Sequence, residues 1–415
     1  MANSYSKQHG PEVHRTSSLL LSVLAATLLI AFASAHTIFK GKAFSTRAPG
    51  IAVKGNQFVT TSAGTLGVQK VSAGQNVVLR GINFSGPEYE CLSGKSVWDP
   101  ESLPNGNSDY QRVINALLSW HANVVRIPLN EDCWLGVPQN DPPPSATRGA
   151  HYYGPIIDFI NAANAAGLVA EVDLHFGAGP QLIKNVSDNF PAMDTSFSKA
   201  FWVDVAKRLG KNASVIFNLI NEPQLKSSPA NWSCYLSGGC TTKGYQSANG
   251  NDWTVEGTQS VVTAIRETGA KNPIIIAGLN FSNELDKWLS YVPHDPLKQI
   301  VAGVHIYFDL DCEAPECWNK QYVAIQKAGY PVVIDETGEG EKPGDTCTGN
   351  DEATLTSWAD ALPTTQGTPA VGYWFWEFMG KGGCNQGPDL LTDNTSFSPY
   401  PGYGVFAKTH LLSVQ

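Results

Sequence analysis

The chain has 415 residues, with 42% apolar and 16% charged side chains and a formal net charge of -9. That composition is globular and sized for one large domain or two ordinary ones. Without a Lys/Arg cluster, the acidic balance excludes a nucleic-acid binder, since phosphates demand a basic face. Eleven tryptophans are a high count, and their flat apolar faces suit both cores and sugar rings.

The apolar run "TSSLLLSVLAATLLIAFASA" follows Lys7 and Arg15 and closes on Ala33-Ser34-Ala35, a small-residue cleavage pattern. The sequence thus predicts a signal peptide over 1–35, with a retained signal anchor as its rival. A linker over 36–50 and a single catalytic domain over 51–415 follow, placed outside the cell and acting as a monomer. No second run is long enough to span a bilayer. Eight cysteines suit such an oxidising compartment. Their order suggests local pairs, Cys91 with Cys133, Cys234 with Cys240, Cys312 with Cys317 and Cys347 with Cys384, although on the order of a hundred connectivities stay open. No Cys-x-x-Cys pair recurs and no His lies at ligand spacing, so no zinc site, metal or cofactor is implied. Glycosylation sequons stand at Asn83, Asn185, Asn212, Asn231, Asn280 and Asn394. Asn83 and Asn280 end predicted strands and are expected to stay unmodified.

Residues 50–74, "GIAVKGNQFVTTSAGTLGVQKVSAG", read as a strand pair able to plug a barrel floor. Eight continuous apolar runs follow: "VVLRGINFSG", "ANVVRIPLN", "LVAEVDLHF", "SVIFNLINEP", "PIIIAGLN", "IVAGVHIYF", "PVVIDETG" and "AVGYWFWEF". Such runs fit strands of a parallel sheet buried on both faces. Helical stretches such as "YYGPIIDFINAANAAG" and "WTVEGTQSVVTAIRETGA" lie between them and end at or near Gly. Eight strand–helix units in this length predict an α/β fold, a (β/α)8 TIM barrel with a short hairpin before its first strand. A doubly wound open sheet lacks support, because no phosphate-binding Gly fingerprint occurs.

Each run begins apolar and ends polar or ionisable. The ends are Asn83; Arg126 and Asn130; Asp173 and His175; Asn221 and Glu222; Asn280; His305 and Tyr307; Glu336; Trp376 and Glu377. In a barrel these ends share one face, where active sites form. Glu222 and Glu336 follow the fourth and seventh strands and face one another across the mouth. Two opposed carboxyl groups are what glycosidic cleavage needs, one to protonate the leaving oxygen and one to attack the anomeric carbon or activate water. Asn221 is placed to hold a sugar 2-hydroxyl, and Tyr307 and Arg126 to keep Glu336 ionised. His175 and His305 are placed to orient the carboxylates or the sugar hydroxyls, and Trp376 to floor the sugar. Glu377 points away from Trp376 under period two and reads as structural.

These motifs resemble glycoside hydrolase family 5, the cellulase family of retaining barrel glycosidases. "NLINEP" is similar to the family's Asn-Glu-Pro motif, which implies that Glu222 is the acid/base. "VIDETG" resembles the second motif, which implies that Glu336 is the nucleophile. "VVRIP", "DLH" and "HIY" supply the expected Arg126, His175, His305 and Tyr307, and "YWFWEF" the platform Trp376. "GPEYEC" and "LNEDCWLG" resemble a secreted subgroup in which Cys91 and Cys133 bridge the first two loops. The resemblance implies a polysaccharide or oligosaccharide substrate, β-1,4-glucan first, with mannan, β-1,3-glucan and other β-glycosides as alternatives. Two further readings are a non-catalytic glycan-binding barrel, and transfer to an acceptor sugar in place of water. A mature start at His36 also resembles secreted copper polysaccharide monooxygenases, but those need a β-sandwich and a second His.

Overall fold

The computed structural model describes residues 47–137, 142–177, 191–243, 252–308, 311–339, 347–381 and 387–414. Eight parallel strands form a closed barrel: β6 (Arg80–Asn83), β7 (Val124–Asn130), β8 (Val169–Phe176), β9 (Val215–Asn218), β10 (Ile274–Ala277), β11 (Ile300–Ile306), β12 (Val332–Thr337) and β13 (Gly372–Phe375). They neighbour one another in chain order, and β13 pairs back onto β6 through Tyr373–Arg80, Trp374–Gly81 and Phe375–Ile82. All seven residues of β7 are buried, as expected of a strand covered on both faces. The eight apolar runs are the eight barrel strands.

Helices Tyr110–Ser119, Ala150–Ala166, Ser198–Leu209, Thr258–Glu267, Pro315–Lys327, Asn350–Thr365 and Tyr403–Val414 lie between and after the strands. Ala150–Ala166 stops at Gly167, whose φ of 108° is left-handed and closed to most side chains. The helix expected from Trp253 begins only at Thr258. Thr254 and Val255 are taken instead by isolated bridges to Thr241 and Asp194. Among the described residues the fifth strand is followed by a 3-10 turn, Trp288–Ser290, and not by an α-helix.

The floor holds two hairpins where one was expected. β1 (Ile51–Lys54) pairs antiparallel with β2 (Gln57–Thr60), which also pairs with β5 (Asn76–Val77). β3 (Gly64–Leu66) pairs with β4 (Gln69–Val71) around Gly67. There a Cβ would meet the Ala122 carbonyl oxygen at 2.8 Å, so only glycine lets this turn seat on the barrel. Ile51, Phe58, Leu66 and Val71 pack against Leu79, Val124, Val169, Ile216, Ile275, Val301, Val333 and Trp374, one residue from each barrel strand or its start. With one end sealed by apolar packing, the polar strand ends are left at the other.

Three of the suggested cysteine pairs are disulfides: Cys91–Cys133, Cys234–Cys240 and Cys312–Cys317. Cys384 lies outside the described residues, as do Asn185 and residues 1–46. No helix among the described residues is long and apolar enough to cross a membrane.

Candidate active site

Arg126, on β7, organises the open end of the barrel. Its guanidinium is fully buried. Nε donates to Glu171 Oε1 at 3.1 Å, Nη1 to Asn83 Oδ1 at 2.8 Å and to Glu336 Oε2 at 2.7 Å, and Nη2 to Asn221 Oδ1 at 2.6 Å. Nη2 also lies 3.2 Å from Asp173 Oδ2. One planar fork thus fixes five residues from four strands or their ends. Burial works against its charge, but Asp173, Glu336 and Glu171 hold it ionised.

Glu336, on β12, accepts from Arg126 through Oε2 and from the Tyr307 hydroxyl through Oε1. Burial alone would raise its pKa. The charges of His305, Arg126 and His175, with the Tyr307 hydrogen bond, outweigh that and hold it below the ordinary glutamate value. Glu222 follows β9 and keeps 12% side-chain exposure, so the paired carboxyl opens to the cleft. His305 Nδ1 stands 2.9 Å from Glu222 Oε1 and 3.7 Å from Glu336 Oε1. Burial disfavours the imidazolium, yet Glu336, Glu222 and Asp335 raise its pKa above the ordinary histidine value. An oxygen of Glu222, a nitrogen of His305 and an oxygen of Glu336 all lie within 4.8 Å of one another.

His175 does not orient either of these carboxylates directly. Nδ1 lies 3.0 Å from Asp173 Oδ2, and the ring stacks on Trp376 at 5.5 Å and 16°. Nine of the eleven tryptophans are buried, leaving Trp358 and Trp376 partly open. Trp358 packs on Trp318, and Trp376 stacks on His175 at the polar end of the barrel. Two polar strand ends serve the fold. Asn130 caps helix Glu131–Leu135 by accepting from the Cys133 amide, and Asn280 donates to Glu284.

Sequence reasoning passed over the layer beneath. Asn218 Nδ2 donates to Asp335 Oδ2 at 2.5 Å and to Glu171 Oε1 at 3.2 Å, all buried. Burial, and then Asp335, push the Glu171 carboxyl well above its ordinary value. Burial raises Asp335 too, against the pull of His305 and Arg126. Glu171 was detectable: with Asp173 and His175 it forms a period-two polar row in an otherwise apolar strand. Asp335 and Glu336 are adjacent yet both join the interior network. Register shifts on both sides of β12, at Val304/His305 and at Ile334/Thr337, break the simple alternation.

Glu377 corrects the period-two reading. β13 ends at Phe375, so the alternation does not extend to it. Its Oε2 accepts from the Ser85 hydroxyl, and it is partly exposed. Burial against the protein, and then Asp389 and Glu336, outweigh the Ser85 bond and push its pKa up to about 8.

A match over residues 72–380 to the model of the cellulase family, glycosyl hydrolase family 5, decides the identity. The chain belongs to glycoside hydrolase family 5. One similar protein is the manganese dependent endoglucanase Eg5A of Phanerodontia chrysosporium, 26% identical over 161 residues. That match spans 34% of this chain and 36% of the relative, so the chain aligns with about a third of that protein's length. Among solved folds, a cellulase–inhibitor complex superposes with TM-score 0.59 at 18% identity, covering 89% of this chain and 100% of that one. The endocellulase of Pyrococcus horikoshii gives 0.58 at 17%, with the same coverage. The mannanase of Streptomyces sp. SirexAA-E gives 0.54 at 18%, covering 89% and 92%. At these identities the likeness is one of fold.

Glu222, His305 and Glu336 are the one His/Cys/Asp/Glu cluster with metal-ligand spacing among the described residues. They do not fit a resident metal. Both Glu336 oxygens accept from Arg126 and Tyr307, and Glu222 is committed to His305. A cation there would face the Arg126 charge and break these bonds. The arrangement suits proton transfer.

Proposed function

We propose that this family 5 protein is a retaining β-glycosidase, with Glu336 as nucleophile and Glu222 as acid/base. The observation that carries the reading is the close approach of the two carboxyl groups, with one oxygen of each within 4.8 Å of the other. Retention requires carboxyl groups about 5–5.5 Å apart, whereas inversion leaves room for a water between them at about 6.5–9.5 Å.

Glu336, held ionised by Arg126 and Tyr307, attacks the anomeric carbon. Glu222 gives its proton to the leaving oxygen. The C–O bond to the leaving sugar breaks and a glycosyl ester to Glu336 forms. Glu222, now a carboxylate, takes a proton from water, which attacks the same carbon and releases Glu336. His305 steadies Glu222 for both transfers. Asn221, fixed by Arg126, is placed for the sugar 2-hydroxyl, and Trp376 for the ring face.

The first substrate is β-1,4-glucan, which fits the endoglucanase to which the chain is similar. Mannan is the alternative, in keeping with the mannanase fold neighbour. Residues 1–35 serve secretion and residues 51–415 the catalysis, by a monomer acting outside the cell.

The test is product release from cellulose derivatives, mannan, β-1,3-glucan and aryl β-glycosides, beside Glu336→Ala and with the product anomer followed by NMR. Release of the β-anomer first, absent in Glu336→Ala and unaffected by EDTA, supports the reading. First release of the α-anomer sinks retention. A folded protein that releases nothing favours a glycan-binding barrel.

A further inference from the structure

Beneath the carboxyl groups of the site lies a buried polar layer that the mechanism above leaves without a task. Glu171 Oε2, Asn218 Oδ1, Asp335 Oδ1 and His305 Nε2 are all buried there without a hydrogen-bond partner. Each such atom in a native interior calls for an explanation. Three of them are oxygens. The fourth is a ring nitrogen able to carry a proton, and Asp335 Oδ1 stands 3.9 Å from it.

Both members of that contact are fixed at their other ends. Asp335 Oδ2 accepts from Asn218 Nδ2 at 2.5 Å. His305 Nδ1 lies 2.9 Å from Glu222 Oε1. Asn218, Asp335, His305 and Glu222 thus form one line from the barrel interior to the proposed proton donor. Asn218 Nδ2 also donates to Glu171 Oε1 at 3.2 Å, so two carboxyl groups share one amide. Burial, and then Asp335, drive Glu171 well toward its neutral form. Burial acts on Asp335 too, but His305 and Arg126 pull against it and leave Asp335 as the carboxylate of the two.

We propose that Asp335 is a positioning residue for the acid/base: its carboxylate keeps a proton on His305 Nε2, so that Nδ1 is left to share one proton with Glu222. The inference rests on the glycosidase reading above. At 3.9 Å the contact is too long for a hydrogen bond. Catalytic contacts are often long in a free enzyme and tighten around the substrate. With Nε2 protonated, the proton between Nδ1 and Glu222 belongs to the pair, as imidazole facing carboxylic acid or imidazolium facing carboxylate. Either form supplies the proton that the leaving oxygen takes, and the Nε2 proton stays in place. With Nε2 bare, the ring keeps its only proton on Nδ1 and faces Glu222 as a carboxylate, which has no proton to give. A buried carboxylate selects the imidazole tautomer in the same way in hydrolytic triads.

The experiment compares two glycosides of the sugar that the intact protein turns over, one with a dinitrophenol leaving group and one with an alkyl alcohol. Only the alkyl alcohol needs a proton on departure. Asp335→Asn keeps the shape of the side chain. Asn218 Nδ2 occupies the Oδ2 side, so the introduced amide turns its NH2 toward His305 Nε2 and favours the proton on Nδ1. For the alkyl glycoside kcat/KM is expected to fall by at least about tenfold, and for the dinitrophenyl glycoside by less than about threefold. An equal fall for both overturns the inference, because damage to the fold does not sense the leaving group. NMR of the unsubstituted protein, labelled at the histidine ring nitrogens, tests the tautomer without that variant. The His305 signals are those missing from His305→Gln. Nε2 is expected to carry its proton across the pH range of activity, and a bare Nε2 overturns the inference. An unsubstituted protein that turns over no glycoside sinks the glycosidase reading and this inference with it. Normal turnover with an equal fall, or with a bare Nε2, sinks this inference alone.

Discussion

Arg126 Nη1 lies 2.7 Å from Glu336 Oε2, and the guanidinium making that bond is wholly sealed from solvent. The pair is a joint as well as a charge balance, since the same guanidinium holds Asn83, Glu171, Asp173 and Asn221. Lysine keeps the charge but offers a point donor where five acceptors from four strands need a fork. Arg126→Lys is expected to lower kcat/KM by at least about 100-fold, since a misplacement near 1 Å costs that much. Breaking a buried pair costs about 3–5 kcal/mol, so urea unfolding should show a matching loss. Full stability with low activity would instead assign Arg126 to chemistry alone.

His305 is expected to set the acidic limb of the pH–rate profile through Glu336. Its charge is the first of the influences that oppose burial and hold Glu336 below the ordinary glutamate value. Replacing His305 with neutral Gln removes that stabilisation of the carboxylate, so the Glu336 pKa rises. The acidic limb of kcat/KM therefore moves to higher pH in His305→Gln. A uniform fall in rate with an unmoved limb would show that His305 acts only by positioning Glu222.

Glu377 gives a stability prediction of definite sign. Its folded pKa of about 8 exceeds the ordinary value of 4.5. Between those values the folded state binds the proton and the unfolded state does not. Stability from this group is complete below pH 4.5 and is lost as pH rises through 8. The groups that set the balance are Ser85, Asp389, Glu336 and Lys381. Glu377→Gln keeps a neutral group of the same shape. Its melting temperature should match the parent near pH 5 and exceed it by a few degrees near pH 8. Parallel curves for the two proteins would overturn the assignment.

What could be read before the structure follows from what each signal depends on. Strand identity depends on local apolar runs, and the eight runs became the barrel strands because burial on both faces leaves no room for polar alternation. Glu222, Glu336, Arg126, His305 and Tyr307 were legible because strand ends carry their own position with them. Glu171 showed in its period-two row with Asp173 and His175, but Asn218 and Asp335 did not, since their meaning lies in a cross-barrel hydrogen bond between residues 117 positions apart in the chain. For Glu377 the period-two argument lapses, because the strand ends at Phe375.

The disulfides stabilise to unequal degrees. Cys91–Cys133 closes a separation of 42 residues and ties the loops after β6 and β7, while Cys312–Cys317 closes only 5. Loop-closure entropy in the unfolded chain grows with the logarithm of that length, giving about 4 kcal/mol for the first and about 2 for the second. For a chain of this size those values correspond to falls in Tm of roughly 5 and 2–3 °C. The loops joined by Cys91–Cys133 are also held by Asn130 Nδ2 donating to Glu88 O at 2.8 Å and by Thr147 Oγ1 donating to Cys91 O. The geometry near β6 and β7 therefore outlasts the covalent link. The Cys91→Ser/Cys133→Ser protein should lose stability yet keep kcat/KM within about twofold well below its Tm, whereas an equal or larger loss from Cys312→Ser/Cys317→Ser would show that native contacts, and not chain entropy, set the contribution of each bridge.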